Sequence, residues 1–233
     1  MIPGDFRLPK PSRKQLFGLG ALGIFGLGAM AVTAAVAVFF LATWLDQPLP
    51  VFGFDEGPDQ PIAFPHTVHV QDLGIDCTFC HRNVTSGDAA TIPAVGLCMS
   101  CHMVMGKDKP EVDKLRDFQD SGQAIDWVRV HRVPDHVQFV HEAHVQRFSG
   151  TKTVVEAVRD TTTEIRLLEA EKIQPGARVG DTLDVLPSAT CSICHGDVGS
   201  MIKVKQVRSL KMGDCVDCHR KNSAPTDCTT CHY

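Results

Sequence analysis

Five copies of the string Cys-x-x-Cys-His, the attachment signature of c-type haem, are the chemically most informative feature of this sequence. In that chemistry the two thiols form thioether bonds with the haem vinyl groups, and the adjacent histidine becomes the proximal ligand of the iron. The sequence therefore predicts five covalently bound haem c groups. The candidate thioether residues are Cys77, Cys80, Cys98, Cys101, Cys191, Cys194, Cys215, Cys218, Cys228 and Cys231. The candidate proximal ligands are His81, His102, His195, His219 and His232.

Two other kinds of site use a similar cysteine spacing. Two Cys-x-x-Cys pairs can form a zinc ribbon, and one pair can be a redox dithiol. Neither needs a histidine directly after the second cysteine, and with 11 histidines among 233 residues chance would place one there about once in twenty pairs. All five pairs have it, which favours haem. Because thioether attachment takes place outside the cytoplasm, the motifs predict a periplasmic location for this domain.

A second repeat, Phe-x-His-x-x-His, supplies candidates for the opposite face of each iron. It occurs shortly before the first motif and again between the second and third motifs. Histidines three apart on a helix lie on adjoining faces, so one turn can serve two haems. A haem iron with one axial histidine can take a second histidine or a methionine; the alternative role is a hydrogen bond to a haem propionate. The predicted distal ligands are His66, His69, His141 and His144.

The fifth iron has several candidates for its distal ligand. We rank His131 first, Met212 second and His136 third, with Met103 and Met105 as further thioethers. An axial methionine would give that haem a higher potential than the bis-histidine haems. Because the distal candidates outnumber the irons, we expect an electron carrier with no catalytic residues of its own.

The N-terminal part of the chain indicates how the haem domain would be held. Residues 1–15 are a short polar leader, and residues 16–45 carry no charge, whereas a membrane-spanning helix needs about 20 apolar residues. Basic residues before the run and Asp46 after it predict a cytoplasmic N-terminus. A cleaved signal peptide is the alternative, but its apolar region is usually about 7–15 residues long. We expect a single-pass anchor at 16–45 in the bacterial inner membrane, followed by a Pro-rich linker at 46–63.

Residues 64–233 form the predicted haem domain, with the fold class of a multihaem cytochrome c: short α-helices and loops around five haems. Aromatic residues make up only 6% of the chain, so the porphyrins are expected to supply much of the interior. A haem-free insertion at about 148–187 has partly alternating apolar residues between Gly and Pro turns, which predicts two or three short strands in a small β-hairpin. The formal charge of −4 becomes −7 without the +3 of residues 1–45, which does not suggest nucleic acid as a partner.

At Phe64–His69, Trp127–His144 and Met212–Arg220 the sequence resembles one family. It is similar to the membrane-anchored pentahaem cytochrome subunit of alternative complex III, a bacterial quinol:electron-acceptor oxidoreductase. The resemblance covers about residues 61–147 and 188–233, including the 2+3 grouping of the motifs; segment 148–187 departs from it. It implies an electron relay in a respiratory or photosynthetic chain. The implied partners are an iron–sulfur protein, polytopic quinol-oxidising subunits, a monohaem cytochrome, membrane lipid, and a periplasmic carrier or terminal oxidase.

Three other functions compete with this interpretation. A self-contained quinol dehydrogenase of the NapC/NrfH type also has one N-terminal helix, but its first haem motif follows that helix closely, whereas Cys77 lies 32 residues beyond Leu45. A multihaem reductase of a small substrate needs an open iron, often marked by Lys in place of the motif histidine, and no such motif occurs. A structural zinc protein is the third. Optical and electron paramagnetic resonance (EPR) spectra would separate the electron-relay subunit and the quinol dehydrogenase from the reductase. A haem stain on a denaturing gel would exclude the zinc protein.

Overall fold

The structure is a computed structural model, and it describes residues 12–44, 57–208 and 210–233. The chain divides into two units, Met1–Phe54 and Asp55–Tyr233. Most of the predicted leader, at 1–11, and of the predicted linker, at 46–56, lies outside the described residues. Residues 57–65, where the predicted linker meets the haem domain, form neither helix nor strand.

One helix, α1 (Arg13–Trp44), makes up the described part of the first unit. Its segment Leu22–Ala42 has a mean hydropathy of 2.4 and buries none of its surface. At 1.5 Å per residue, a helix of this length extends about 48 Å, which exceeds the hydrocarbon thickness of a bilayer. A helix also satisfies its backbone hydrogen bonds internally, as a membrane-spanning segment must. By length and composition, α1 is compatible with a single-pass membrane anchor.

The second unit is built mainly from short helices. Its α-helices are α2 (Cys77–Cys80), α3 (Val95–His102), α4 (Pro110–Ser121), α5 (His141–Phe148), α6 (Leu167–Ile173), α7 (Ser192–His195), α8 (Met212–Lys221) and α9 (Cys228–Cys231). A π-helical turn at Val68–Asp72 and 3₁₀ turns at Arg82–Thr85, Pro187–Cys191 and Val198–Ser200 lie between them. Short helices and loops around the motifs are the arrangement that the sequence predicts.

The insertion contains three strands, β1 (Gly150–Val155), β2 (Glu164–Arg166) and β3 (Thr182–Val185), in the order β2-β1-β3. β1 is parallel to β2, with Val154 opposite Ile165, and antiparallel to β3, with Gly150 opposite Val185. The predicted two or three short strands are therefore confirmed, but their predicted connection as a β-hairpin is wrong. The antiparallel partner of β1 comes only after β2 and α6, because the chain after Arg166 turns into a helix instead of returning along β1.

The aliphatic core of the second unit lies in this insertion. Strands β1 and β3 alternate buried and exposed residues, so Val154, Leu183 and Val185 point to one side. α6 covers them with Ala170, and Arg166 and Glu169 form a largely buried ion pair at 2.8 Å. Ile193, between the two cysteines of the third motif, belongs to the same core. The insertion therefore carries no haem motif itself but forms the support beneath the third one.

Candidate haem-binding site

Each pair of motif cysteines lies on about one helical turn. Both cysteines are helical in α2, α3, α8 and α9, and in the third motif Cys191 ends a 3₁₀ helix that α7 continues. Residues three apart on a helix are neighbours on its surface, so both thiols of a pair can reach one edge of a porphyrin. Local sequence fixes these turns: the Asp76 carboxylate, for example, accepts the Thr78 N–H at 2.8 Å and caps α2. All ten cysteines lie within the described residues, and none of them is paired in a disulfide.

Backbone carbonyls orient most of the predicted proximal histidines. Such a carbonyl lies on Nδ1 of four of them, at Thr91 for His81 (2.6 Å), Met105 for His102 (3.3 Å), Pro225 for His219 (2.5 Å) and His136 for His232 (3.2 Å). A neutral imidazole that donates its Nδ1–H has its lone pair on Nε2, which is the tautomer that a metal ligand needs. These four rings are therefore set to bind iron through Nε2.

The two Phe-x-His-x-x-His segments have almost the same local geometry. Phe64 stacks on His69 with ring centroids 4.3 Å apart at 24°, and Phe139 stacks on His144 at 4.4 Å and 24°. Each phenylalanine also meets the first histidine of its segment edge-on, at 4.9 Å. The second histidine donates its Nδ1–H to the carbonyl four residues earlier, that of Pro65 or Val140. The role of the two phenylalanines in fixing these rings could have been read from their constant offset in the repeat.

Three histidine pairs have the spacing of two ligands on one metal ion. A metal–imidazole bond is about 2 Å long and the ring centre lies about 1 Å behind the nitrogen, so such rings have centres about 6 Å apart. The observed centroid distances are 6.1 Å for His69 and His102, 6.5 Å for His141 and His195, and 5.9 Å for His144 and His219. Each pair joins a repeat histidine to a motif histidine. The residues present therefore fit an iron between them.

His66 lies near the first Cys-x-x-Cys-His motif. Burial, followed by the nearby charges of His81 and His69, lowers the pKa of His66 to about 4. Its Nδ1 is buried without a hydrogen-bond partner. His66 is therefore near enough to His81 for the charge of one to affect the other.

Burial favours the neutral form of several of these imidazoles. It is the first cause that lowers the pKa of His195 to about 4, and it also lowers the pKa of His144 and of His131. A neutral ring retains the lone pair with which it can bind a metal. Within the described ranges, no three His, Cys, Asp or Glu side chains are grouped to hold one metal ion, whereas a structural zinc site needs four such ligands.

His131, the first-ranked candidate for the fifth iron, lies behind His195. Its Nε2 is 3.3 Å from Nδ1 of His195, and the ring centroids are 4.3 Å apart at 88°. That distance leaves no room for an iron between the rings, and the contact is on the side of His195 away from Nε2. The geometry does not favour His131 as a distal ligand.

His136, the third-ranked candidate, is close to His232 but on the wrong side of it. The ring centroids are 5.5 Å apart, yet the backbone carbonyl of His136 accepts the Nδ1–H of His232. A second ligand on an iron at Nε2 would have its nitrogen about 9 Å from that carbonyl oxygen, farther than a histidine reaches from its own carbonyl. Among the three ranked candidates, Met212 remains. It is exposed and begins α8, one turn before Cys215.

The first motif lies beside both the second and the third. The thiols of Cys77 and Cys191 are hydrogen-bonded to each other, which lowers the pKa of Cys77 to about 7 and raises that of Cys191. Burial and then the charge of Cys80 raise the pKa of Cys98. Motif two, motif one and motif three are therefore neighbours in that order.

The other two motifs continue the same series. Burial and then the charge of Cys218 raise the pKa of Cys194, and burial, Asp214 and Cys231 raise the pKa of Cys215. The third motif is thus next to the fourth, and the fourth next to the fifth. Cys101 in the second motif and Cys228 in the fifth are exposed, and the other eight cysteines are partly buried. The spatial order of the motifs is two, one, three, four, five, with the most accessible motifs at the two ends.

No family model matches the chain. Over 118 residues it is 33% identical to the multihaem cytochrome c subunit of menaquinone reductase from Nitratidesulfovibrio vulgaris. The similarity supports a multihaem cytochrome c. The match covers 50% of this chain and 55% of the relative, so the chain spans about half the length of the protein that it matches. Covalently bound c-type haem is the cofactor that this similarity and the five motifs share.

Proposed function

We propose that this chain holds five haem c groups and relays electrons as a subunit of a membrane quinone oxidoreductase. The observation that carries the proposal is the pairing of a repeat histidine with a motif histidine at 5.9–6.5 Å in three places. A hydrogen bond from Nδ1 to a carbonyl fixes the metal-binding tautomer of most of these rings. The similarity to a menaquinone reductase subunit supports the quinone side of the proposal.

The proposed ligand pairs follow the order of the chain. The first repeat serves the first two motifs and the second repeat serves the next two: His66 with His81, His69 with His102, His141 with His195, and His144 with His219. Met212 is the proposed distal partner of His232. α5 holds His141 and His144 in place, since the carbonyls of Gly87 and Asp88 accept the N–H groups of its first turn.

Haem c, when bound, accepts and releases one electron per iron. The motif histidines and their distal partners would hold each iron from both faces, and a six-coordinate iron changes its geometry little between oxidation states. Haems held by these motifs would follow one another in the order two, one, three, four, five, because the motif cysteines are neighbours in that order. Because the outer motifs have the exposed cysteines, Cys101 and Cys228, we propose that electrons enter near one and leave near the other.

The proposed assembly is alternative complex III. The sequence resemblance supports it, and α1 supplies a helix that can cross a membrane. In this assembly the N-terminus lies in the cytoplasm and the haem domain in the periplasm. The partners are an iron–sulfur protein, polytopic quinol-oxidising subunits and a monohaem cytochrome, and the acceptor is a periplasmic carrier or terminal oxidase. The chain itself contributes no catalytic site.

Purification from native membranes in mild detergent tests this function. We expect a large assembly with an iron–sulfur protein and polytopic subunits, an intact mass equal to the chain plus five haems, and low-spin EPR signals only. A double variant, Cys215→Ser with Cys218→Ser, is the matched control and should carry four haems. A homo-oligomer alone would instead support the NapC/NrfH type. A high-spin fraction would support a reductase, and a chain mass without haem would end the proposal.

A further inference from the structure

His195 differs from the other motif histidines in what lies on its Nδ1. His81, His102, His219 and His232 each have a backbone carbonyl there. Nδ1 of His195 instead lies 3.3 Å from Nε2 of His131, with the two rings edge to face at 88°. All five motif histidines belong to the described part of the chain, so the comparison is complete for them.

The backbone directly after His195 has an unusual conformation. Directly after His195, Gly196 has φ +70° and ψ −165°, a conformation that is essentially restricted to glycine. A Cβ at Gly196 would lie 2.9 Å from Cγ1 of Val207, so the segment around Val207 crosses close to this turn. The backbone directly after His195 is therefore specific to glycine and packed against Val207.

The segment before His131 is held on both sides by glutamine side chains. Gln60 accepts the N–H of Val128 through Oε1 and donates from Nε2 to the carbonyl of Val128, both at 2.9 Å. Gln206 donates from Nε2 to the carbonyl of Val130 at 2.7 Å. Three side-chain hydrogen bonds over residues 128–130 therefore fix an otherwise irregular segment, and His131 follows it immediately. These hydrogen bonds therefore fix the backbone position of His131.

We propose that His131 is a positioning residue for the third haem, accepting the Nδ1–H of the proximal ligand His195. This inference rests on the proposed haem function. A neutral histidine that binds iron through Nε2 carries its only N–H on Nδ1, so His195 must be the donor. His131 then accepts through Nε2 and carries its own proton on Nδ1. The bond fixes the tautomer and the rotation of the His195 ring.

The bond also changes how strongly His195 donates to iron. A hydrogen-bond acceptor on Nδ1 makes the ligating imidazole more basic. A more basic ligand stabilises ferric iron and lowers the reduction potential of its haem. An imidazole nitrogen is a stronger base than an amide carbonyl, so the effect is larger at His195 than at the other four motifs. The third motif lies in the middle of the spatial series, so His131 sets the potential of the central haem.

Redox titration of three variants in the haem-loaded protein tests the inference. His131→Leu removes the acceptor, and His131→Gln retains one, since Oε1 of Gln can take the place of Nε2. Arg132→Ala, an exposed neighbour on the same segment, is the control. We expect His131→Leu to keep five low-spin haems. The reduction potential of one of them should rise by about 59 mV, which corresponds to an about tenfold change in its one-electron redox equilibrium constant. His131→Gln should restore most of the shift, and Arg132→Ala should leave all five potentials unchanged.

Two results would overturn this role for His131. The first is a titration of His131→Leu that superimposes on the wild type. The second is a high-spin signal or the loss of one haem in that variant, which would make His131 an axial ligand. If His131→Leu does not accumulate, His131→Asn, whose amide is one carbon too short to reach His195, replaces it. Fewer than five haems in the wild-type protein would instead count against the proposed function and not against His131 alone.

Discussion

An imidazole that donates its Nδ1–H can offer only Nε2 to a metal, so hydrogen bonds behind a ring are as informative as distances in front of it. His136 illustrates the point. Its ring is 5.5 Å from that of His232, a spacing near that of the ligand pairs, but its carbonyl lies on Nδ1 of the same ring. The distance alone suggests a shared iron, and the hydrogen bond argues against it.

Replacement of Met212 tests the proposed fifth ligand. Met212→Leu keeps the size of the side chain and removes the sulfur. We expect the variant to retain all five haems, but the potential of one haem should fall. An axial methionine raises the potential over that of bis-histidine haems, so the haem affected is the one of highest potential in the wild type. A new high-spin EPR signal and a titration without the highest step are the measurements.

Met103→Leu is the matched control for this prediction. Met103 is 68% exposed and Met212 is 70% exposed, so both changes remove a surface sulfur close to a motif. Met103→Leu should leave the spectra and the titration unchanged. An unchanged spectrum for Met212→Leu would show that another residue, or none, is opposite His232.

At the scale of elements, the sheet and α6 explain why a segment without haem ligands occupies the middle of the chain. Lys172 of α6 donates from Nζ to the carbonyl of Ile193 at 3.0 Å, and Ile193 packs into the core of the insertion. The hydroxyl of Ser192 lies 3.2 Å from the carbonyl of Lys172. The helical turn of the third motif is therefore held by the insertion.

Gly196→Ala tests the turn that follows the third motif. The new Cβ would be 2.9 Å from Val207 in a conformation that L-residues avoid, and we expect the free energy of unfolding to fall by about 3 kcal/mol. Gly122→Ala is the control. Gly122 follows the last residue of α4 in a left-handed conformation, with nothing within 4 Å of its Cβ position, so the substitution should lower the free energy of unfolding by only about 1 kcal/mol. Denaturant unfolding of both variants measures the difference. Equal losses would mean that the contact with Val207 is not tight.

Asp160 gives the insertion a dependence on pH. Hydrogen bonds from the Thr162 hydroxyl, then the Thr163 hydroxyl and the Thr162 N–H, lower the pKa of Asp160 from 3.8 to about 2. A carboxyl whose pKa is lower in the folded state stabilises the fold fully above pH 3.8, and this contribution is lost as the pH falls through 2. We expect thermal unfolding of Asp160→Asn to depend less on pH between 4 and 2 than that of the wild type.

The control for this pH prediction is Asp184→Asn. It removes a carboxylate from β3 in the same subdomain without touching the loop at 160–163. The difference between wild type and Asp184→Asn should be smaller in the same pH interval. Parallel unfolding curves for wild type and Asp160→Asn would contradict the prediction.

At the scale of the whole molecule, an apolar helix precedes the unit that contains the haem motifs. The intact mass of the native protein tests whether that helix is retained in the mature chain. A retained anchor predicts the full 25.4 kDa chain plus five haems, recovered with the membrane fraction. A form without residues 1–45 and with a cleavable secretion signal should be soluble and still carry five haems. A native protein that lacks the α1 segment would show that α1 is a cleaved signal.

The sequence by itself determined the chemistry of the molecule. Attachment of haem depends on residues within five positions of one another, so the motifs predict the thioether cysteines and the proximal histidines without a fold. The apolar run at 16–45 and the duplicated Phe-x-His-x-x-His segments are equally local patterns, and both correspond to helical turns in the structure. Local spacing predicted the elements because the forces that form a helical turn act over three or four residues.

Only the tertiary structure decided which groups face each other. His131 and His195 are 64 residues apart in the chain, and no local pattern indicates that the first lies behind the second. The parallel pairing of β1 with β2, which replaces the expected hairpin, depends on α6 and on the core around Ile165. The spatial order of the motifs likewise results from packing between segments distant in the chain. Such contacts depend on how surfaces are buried together, and alternation or spacing along one segment does not encode them.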